Sequence, residues 1–525
     1  AYDELGRLTG KTYSDGSPAV SYTYDPVGRV LTAANGTDTL TWAYDFAGQV
    51  LSEASATNAT NMVYAYDLAG NRLSISLNGT LFLGYTYDDA GRLSTMTRGS
   101  GTYNFFHDAA GRRAAMRQPN NVWTGYTYDA VSRLLETRLT KGTIELDRST
   151  YTLDALGNRS SKTTPEFSES YTYDPLSRLT QVARGATTTE SYTYDAVGNR
   201  LSSLTIPTWS HGDRNELLSV GAAQFTYDLN GNLATSSAPG DSRTYEWDAE
   251  NRLKRVVRNG AELARFAYDP LGRRIEKTAA GVTQRFVYDG EDIVLGTTGM
   301  LPWLFHHGPG IDEVLAKEYV GGATYFTHAD GLGSLVKSTD ASGAVVFTRR
   351  YDAFGNLELG AQAGEFAFTG REWDPETGLY YYRARYYDPK IGRLISEDPI
   401  GFSADVNFYA YVFNNPVNWV DPLGLDVDRP GLICRNVCES KVKRDEALCA
   451  VRNPDPPSPD APKCGETYEE CVRRCQENVD YAPRPTYNPR PGIIYWGKWT
   501  WRQICNSWKD RPPQPSPSPS PSPRP

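Results

Sequence analysis

Two Asp-Pro dipeptides late in the chain, Asp398-Pro399 and Asp421-Pro422, carry groups able to do chemistry. Two carboxyls held close together can hydrolyse an amide. One must be ionised to activate water and the other protonated to donate to the carbonyl, and like charges at short range separate their acidities enough to provide that state. Spacing alone does not select this reading, because Asp-Pro also opens ordinary turns. Histidine is a second candidate. His306, His307 and His328 raise the question of a metal site, but the neighbouring carboxylates lack recognisable ligand spacing. The expectation is structural histidines in loops, with no metal and no cofactor. Cysteine is a third, and all seven lie after residue 430.

These groups stand at the end of a long array. Tyr-Asp followed by Gly or Ser and then Arg or Asn recurs through the first 290 residues, as at Tyr24-Asp25…Gly28-Arg29, Tyr87-Asp88…Gly91-Arg92 and Tyr194-Asp195…Gly198-Asn199-Arg200. Successive aspartates from Asp3 to Asp289 are mostly 20 to 22 apart, with gaps of 25 before Asp154 and 33 before Asp228. A fixed short period marks a repeat architecture in which each unit buries its apolar face against its neighbours. Alternating aromatics such as Tyr85-Thr86-Tyr87 make the segment before each Asp a strand. Asp at the first and Gly at the fourth position is type I turn chemistry, and the Arg-Leu-Thr run that comes next is the return strand. Fourteen such hairpins joined by polar loops predict an all-β array.

The net charge of −9 is unevenly spread: −12 over residues 1–425 and +3 over 426–525. An acidic body argues against a nucleic-acid-binding array. The chain begins inside a repeat at Ala1-Tyr2-Asp3, without a start Met, a signal peptide or an apolar run long enough to span a membrane. The expectation is the C-terminal part of a longer protein whose delivery module lies upstream.

The repeats over 1–290 resemble the YD repeats of the RHS family. Residues 291–365 keep the strand-and-turn character without the strict period and look like late RHS sequence. Residues 366–425 are similar to the RHS-repeat-associated core domain. That likeness is carried by Phe368-Thr369-Gly370-Arg371-Glu372-Trp373-Asp374, by Gly378-Leu379-Tyr380-Tyr381-Tyr382-Arg383-Ala384-Arg385-Tyr386-Tyr387-Asp388-Pro389, and by Asp421-Pro422-Leu423-Gly424-Leu425.

The resemblance implies repeats that spiral into a hollow β-shell capped by the core, which cuts the chain just after Asp-Pro-x-Gly-Leu. The carboxyl pair is then Asp398 and Asp421, with Arg385 beside them, and the scissile bond is Leu425–Asp426. Such a cut is intramolecular and single-turnover. Ala404-Asp405 stands where many members carry Gly-Gly, which implies a stiffer or shifted loop. The resemblance also implies a secreted or surface-delivered toxin, an encapsulated C-terminal effector and an immunity protein. The alternative is a non-cleaving YD-repeat surface or scaffold protein with a Cys-rich adhesion tail.

The segment after the expected cut, 426–525, has no His, which argues against His-based nuclease chemistry and His-dependent triads. Cys434/Cys438 and Cys471/Cys475 have i, i+4 spacing within helix-compatible stretches at 433–451 and 465–478. An antiparallel helical hairpin would pair Cys434 with Cys475, Cys438 with Cys471 and Cys449 with Cys464, leaving Cys505 over. Zinc is the alternative. Disulfides imply an oxidising compartment such as the periplasm. Trp496, Trp499, Trp501 and Trp508 form either a small core or a membrane contact. A Pro/Ser tail runs from about 511.

Overall fold

The computed structural model describes residues 1–299, 301–361, 365–401 and 406–425. Ala404-Asp405, Asp426, the seven cysteines with their expected helices and disulfides, the Trp-rich run and the Pro/Ser tail lie outside the described residues.

One unit shows why the repeat has its residues. The Asp108 N–H donates to the Arg112 carbonyl and the Gly111 N–H to the Asp108 carbonyl. Gly111 has a φ of 82°. This is a type I turn closed by a left-handed residue, a loop whose twist suits a hairpin. It explains the Gly, and it explains Ser132 and Ser177, which hold the same place at φ 66° and 61°. Asp108 Oδ1 accepts the N–H groups of Ala110 and Arg112, both at 2.9 Å, and Oδ2 accepts Arg112 Nε at 2.7 Å. Arg112 Nη1 then donates to the carbonyl of Asp129 in the next unit at 3.0 Å. Its guanidinium lies 4.8 Å from the centre of the Tyr128 ring, and Tyr128 Oη donates back to the Arg113 carbonyl at 3.0 Å. Tyr, Asp and Arg of the motif are thus one linkage between consecutive hairpins.

The hairpins form two long antiparallel meanders, in which each strand pairs with the next in sequence. The first has nineteen strands, from Gly10–Lys11 to Arg200–Ser203; the second has fifteen, from Trp209–His211 to Val345–Thr348. The long gap in the aspartate spacing contains a disguised unit. His211-Gly212…Asn215-Glu216 makes the same turn, with Gly212 N–H to the Glu216 carbonyl and Asn215 at φ 64°. The 25-residue gap reflects two long strands, Leu134–Lys141 and Ile144–Leu153. The turn also recurs beyond residue 290, at Asp330, Asp340 and Asp352, where the sequence period had been lost.

The second meander runs alongside the first. Tyr22 Oη donates to the Pro270 carbonyl, Asn58 Nδ2 to that of Phe286, Arg98 pairs with Glu318 and Lys162 with Asp330. Contacts advance along both sheets together, as in a wound strip. Met62, Tyr64, Ile75 and Phe105 share one apolar cluster with Val287, Leu304 and Phe326.

Residues 365–394 form a separate five-stranded sheet. Its strand period of two divides its aromatics. Leu379, Tyr381 and Tyr386 pack with Phe225, Leu253 and Phe266 of the second meander, whereas Tyr380, Tyr382 and Tyr387 pack inward with Phe368, Leu394 and Tyr411. The core also reaches the first meander: Asn414 Nδ2 donates to the Gly198 carbonyl and Arg159 Nη1 to that of Val417.

The histidines need one correction. His306 and His307 lie in the strand Leu301–His307 and His328 in Thr324–Ala329, not in loops. His306 meets Tyr103 Oη and Glu318, His307 the Ile293 carbonyl and His328 Thr339 Oγ1. The flanking Gly-Pro-Gly and Ala-Asp-Gly suggested loops, but the strands run up to those turns.

The turn aspartates predict acid sensitivity. The hydrogen bond from the Arg92 side chain holds the Asp88 carboxyl below its ordinary value, and that from Asn71 does the same for Asp67. A carboxyl lowered on folding stabilises above its unfolded value and loses that contribution as pH falls through the folded one. Denaturant midpoints should fall below about pH 4, less steeply in a chain carrying Asp67→Asn and Asp88→Asn. A midpoint indifferent to acid would refute this account of the turns.

Candidate functional site

The strands Leu379–Tyr382 and Arg385–Asp388 are joined by a two-residue turn, Arg383-Ala384, with Arg383 at φ 54°. The chain's last described residues dock on this turn. Arg383 Nη1 donates to the Pro422 carbonyl, Ala384 N–H to the Leu423 carbonyl at 3.2 Å and Arg385 Nε to the Gly424 carbonyl. Three consecutive carbonyls are therefore captured by three consecutive residues. The next carbonyl belongs to Leu425. Gly424 is required twice over: its φ is +68°, and a Cβ there would overlap the Tyr382 carbonyl and lie 3.1 Å from Arg385 N.

Arg385, Asp398 and Asp421 come together, all buried. Arg385 Nη2 is 2.8 Å from Asp398 Oδ2 and 3.3 Å from Asp421 Oδ2. The same guanidinium gives Nη1 to the Phe408 carbonyl at 2.9 Å. The other carboxylate oxygens serve turns: Asp398 Oδ1 accepts the Ile400 N–H and Asp421 Oδ1 accepts the Leu425 N–H, each at 3.0 Å. The turn reading and the paired-carboxyl reading of Asp-Pro both describe the geometry, one oxygen each.

Leu425 is buried and tied by its N–H to Asp421, which leaves the start of the expected scissile bond beside the carboxyl pair. Its other side, Asp426, is outside the described residues. Sequence reasoning missed Arg383 and Asp312. Asp312 Oδ1 accepts Arg371 Nη1 and Arg383 Nη2, each at 2.6 Å. Arg383 was visible as the first arginine of Arg-Ala-Arg. Asp312, one of two adjacent acids in a loop 71 positions earlier, gave no signal.

The model of the family described as Teneurin YD-shell matches residues 1–135 and 155–417. The chain belongs to this YD-shell family. The interruption coincides with the unusually long hairpin at 134–153. Among curated proteins, this YD-shell chain is 33% identical over 295 residues to the double-stranded DNA deaminase toxin A of Burkholderia cenocepacia, covering 49% of this chain and 20% of that protein. It is 32% identical over 283 residues to the tRNA nuclease WapA of Bacillus subtilis, covering 48% of this chain and 12% of that one. The chain thus spans a fifth or less of the length of these two relatives. A crystal structure of TcdB2-TccC3-Cdc42 superposes with a TM-score of 0.65 at 20% identity, over 80% of this chain and 27% of that one. That likeness speaks for the fold.

Gly424→Ala should release the 421–425 segment from the turn without unwinding the repeats. Hydrogen exchange in that segment should speed by about tenfold or more, since a side chain at this φ is strained and overlaps backbone, while the repeat strands keep their protection. Unchanged exchange in 421–425 would contradict the docking.

Proposed function

We propose that this chain is the shell and self-cleaving core of an RHS-type polymorphic toxin, and that residues 426–525 are its effector, released by hydrolysis at Leu425–Asp426 and retained inside the shell. One observation carries the cleavage reading: Asp398 and Asp421 converge on one Arg385 nitrogen while Asp421 also holds the Leu425 N–H.

In the proposed reaction the ionised carboxyl of the pair takes a proton from water, and the oxygen attacks the Leu425 carbonyl carbon. The protonated carboxyl donates to the carbonyl oxygen. Collapse breaks the C–N bond, the amine of Asp426 leaves with a proton, and Leu425 becomes a carboxyl terminus. Arg385 favours one ionised carboxyl and the pair's mutual repulsion disfavours two, which is the state the step needs. The neighbouring carbonyls are already held, so little orientational freedom has to be lost. The new terminus stays tethered in the site, so each chain cuts once.

The toxin reading is supported by the relatives. Proteins named for a DNA deaminase and for a tRNA nuclease each align with about half of this chain, as expected if the shared part is a container and the reaction lies elsewhere. It carries with it delivery from the producing cell, an immunity partner for the effector and no nucleic-acid role for the shell. The oxidising compartment proposed for the effector rests on cysteine usage alone.

Intact masses of residues 1–525 under denaturing conditions test the cut. Two fragments meeting at Leu425–Asp426 are expected, and Asp421→Asn and Asp398→Asn should each leave one full-length species, with rates at least about 10²-fold lower. A wild-type chain that remains whole favours the non-cleaving scaffold instead.

A further inference from the structure

The repeat sheet contributes a residue to the cleavage segment's geometry. Asp312 lies in the loop between the strands Leu301–His307 and Val314–Tyr319 of the second meander, well outside the core. It is buried, with a positive φ of 54°. Its Oδ1 receives Nη1 of Arg371 and Nη2 of Arg383, at 2.6 Å each. Arg371 is pinned by its Nε and Nη2 to the Tyr381 carbonyl. Arg383 has its remaining nitrogens near Glu291 and on the Pro422 carbonyl. A continuous path therefore runs from the meander, through one carboxylate and one guanidinium, to the segment that precedes Leu425. The close approach of Gly370 to the Asp312 backbone shows how tightly this loop seats on the core: a Cβ at Gly370 would lie 3.1 Å from the Asp312 Cβ and overlap its carbonyl.

We infer that Asp312 is a positioning residue for self-cleavage, acting through Arg383 on the Pro422 carbonyl, so that the 421–425 segment is held in register only when the core is docked on the wound repeats. The inference rests on the cleavage reading above. Its consequence is order: the shell assembles, and only then is the effector cut free. An unassembled core lacks the Asp312 carboxylate, and Arg383 then has no fixed anchor from which to hold Pro422.

The chemistry suits such a relay. Arg383 donates to Asp312 and to Pro422 from different nitrogens of one rigid fork, so fixing one end fixes the other. A lysine has no such fork. Asp312 touches neither the expected scissile bond nor the carboxyl pair in any hydrogen bond or ion pair described, so its effect on rate passes through geometry.

Four full-length variants test this by intact mass against time after refolding: Asp312→Asn, Asp312→Glu, Arg383→Met and Asp421→Asn. Asp312→Asn removes the carboxylate that two buried guanidinia share and can fail to fold. Arg383→Met avoids that, because Asp312 keeps Arg371. Cleavage by Arg383→Met and by folded Asp312→Asn should slow by about tenfold or more, with an unchanged pH profile, and Asp312→Glu should recover most of the rate. Resistance of the repeats to limited proteolysis, measured in the uncut Asp421→Asn background, should be the same with and without Arg383→Met. Full-rate cutting by Arg383→Met, or a shifted pH profile, overturns the positioning role while leaving the cleavage reading intact. A wild-type chain that never cuts overturns both.

Discussion

A turn aspartate gives one oxygen to its own backbone and the other to an arginine, and that arginine reaches the next hairpin. Asp108, Arg112, Asp129 and Tyr128 display the whole linkage. An isolated two-stranded hairpin is marginal in water. Here the same three side chains close the turn, bridge to the neighbour's carbonyl and stack on the neighbour's ring, so neighbouring units stabilise each other. Lysine cannot replace the arginine, because one ammonium cannot serve the aspartate, the carbonyl and the ring in three directions at once.

The residue after the turn's Gly then decides where a unit connects. In Gly-Arg units the arginine links sideways, as Arg7 to the Asp25 carbonyl and Arg29 to that of Asp45. In Gly-Asn-Arg units the Asn amide holds its own aspartate, as Asn71 does with Asp67, and in two of them it also reaches the next turn, Asn158 to Ser177 Oγ and Asn199 to Asn215 Oδ1, while the arginine after it crosses to another part of the molecule. Arg72 goes to Asp289, Arg159 to the carbonyls of Gly331 and Val417, and Arg200 stacks on Phe354. Gly-Arg-Arg units do both: Arg273 binds Asp269 and the Gly290 carbonyl, while Arg274 pairs with Glu372 and Asp374 of the core. The small alternation of Arg and Asn thus sets both the continuity of the strip and its attachment to the core.

The sequence made the hairpins legible because Tyr-Asp-x-x-Gly is local chemistry, readable from five neighbouring residues. It made the carboxyl pair legible only through the long core motif. Nothing near Asp398 or Asp421 announces that both meet Arg385, since that meeting depends on a hairpin at 383–384 and on a segment returning from far along the chain. The disguised unit at His211-Gly212 was illegible for a related reason. Once Gly212 replaces the aspartate, the turn persists through its backbone hydrogen bonds and the left-handed Asn215, neither of which belongs to the Tyr-Asp pattern. Asp312 was illegible because ion pairing across 71 positions leaves no periodic trace.

The charge balance of the site also governs its state after a cut. Beforehand, two buried carboxyls face one guanidinium, a set that is comfortable with one proton shared between them. Hydrolysis at Leu425 would add a third carboxyl, tethered by the Leu425 N–H to Asp421. Arg385 already serves both aspartates and the carbonyls of Phe408 and Gly424. A third charge at that place would turn the new carboxyl away from the pair while the Leu425 N–H keeps the segment docked on Asp421. A terminus turned away from the pair opposes resealing of the bond, since re-forming an amide needs the free amine and the terminus side by side. In the proposed cleavage the crowding of charge at the buried pair would thus disfavour the reverse step, which is what a proposed container needs if its contents are to remain severed.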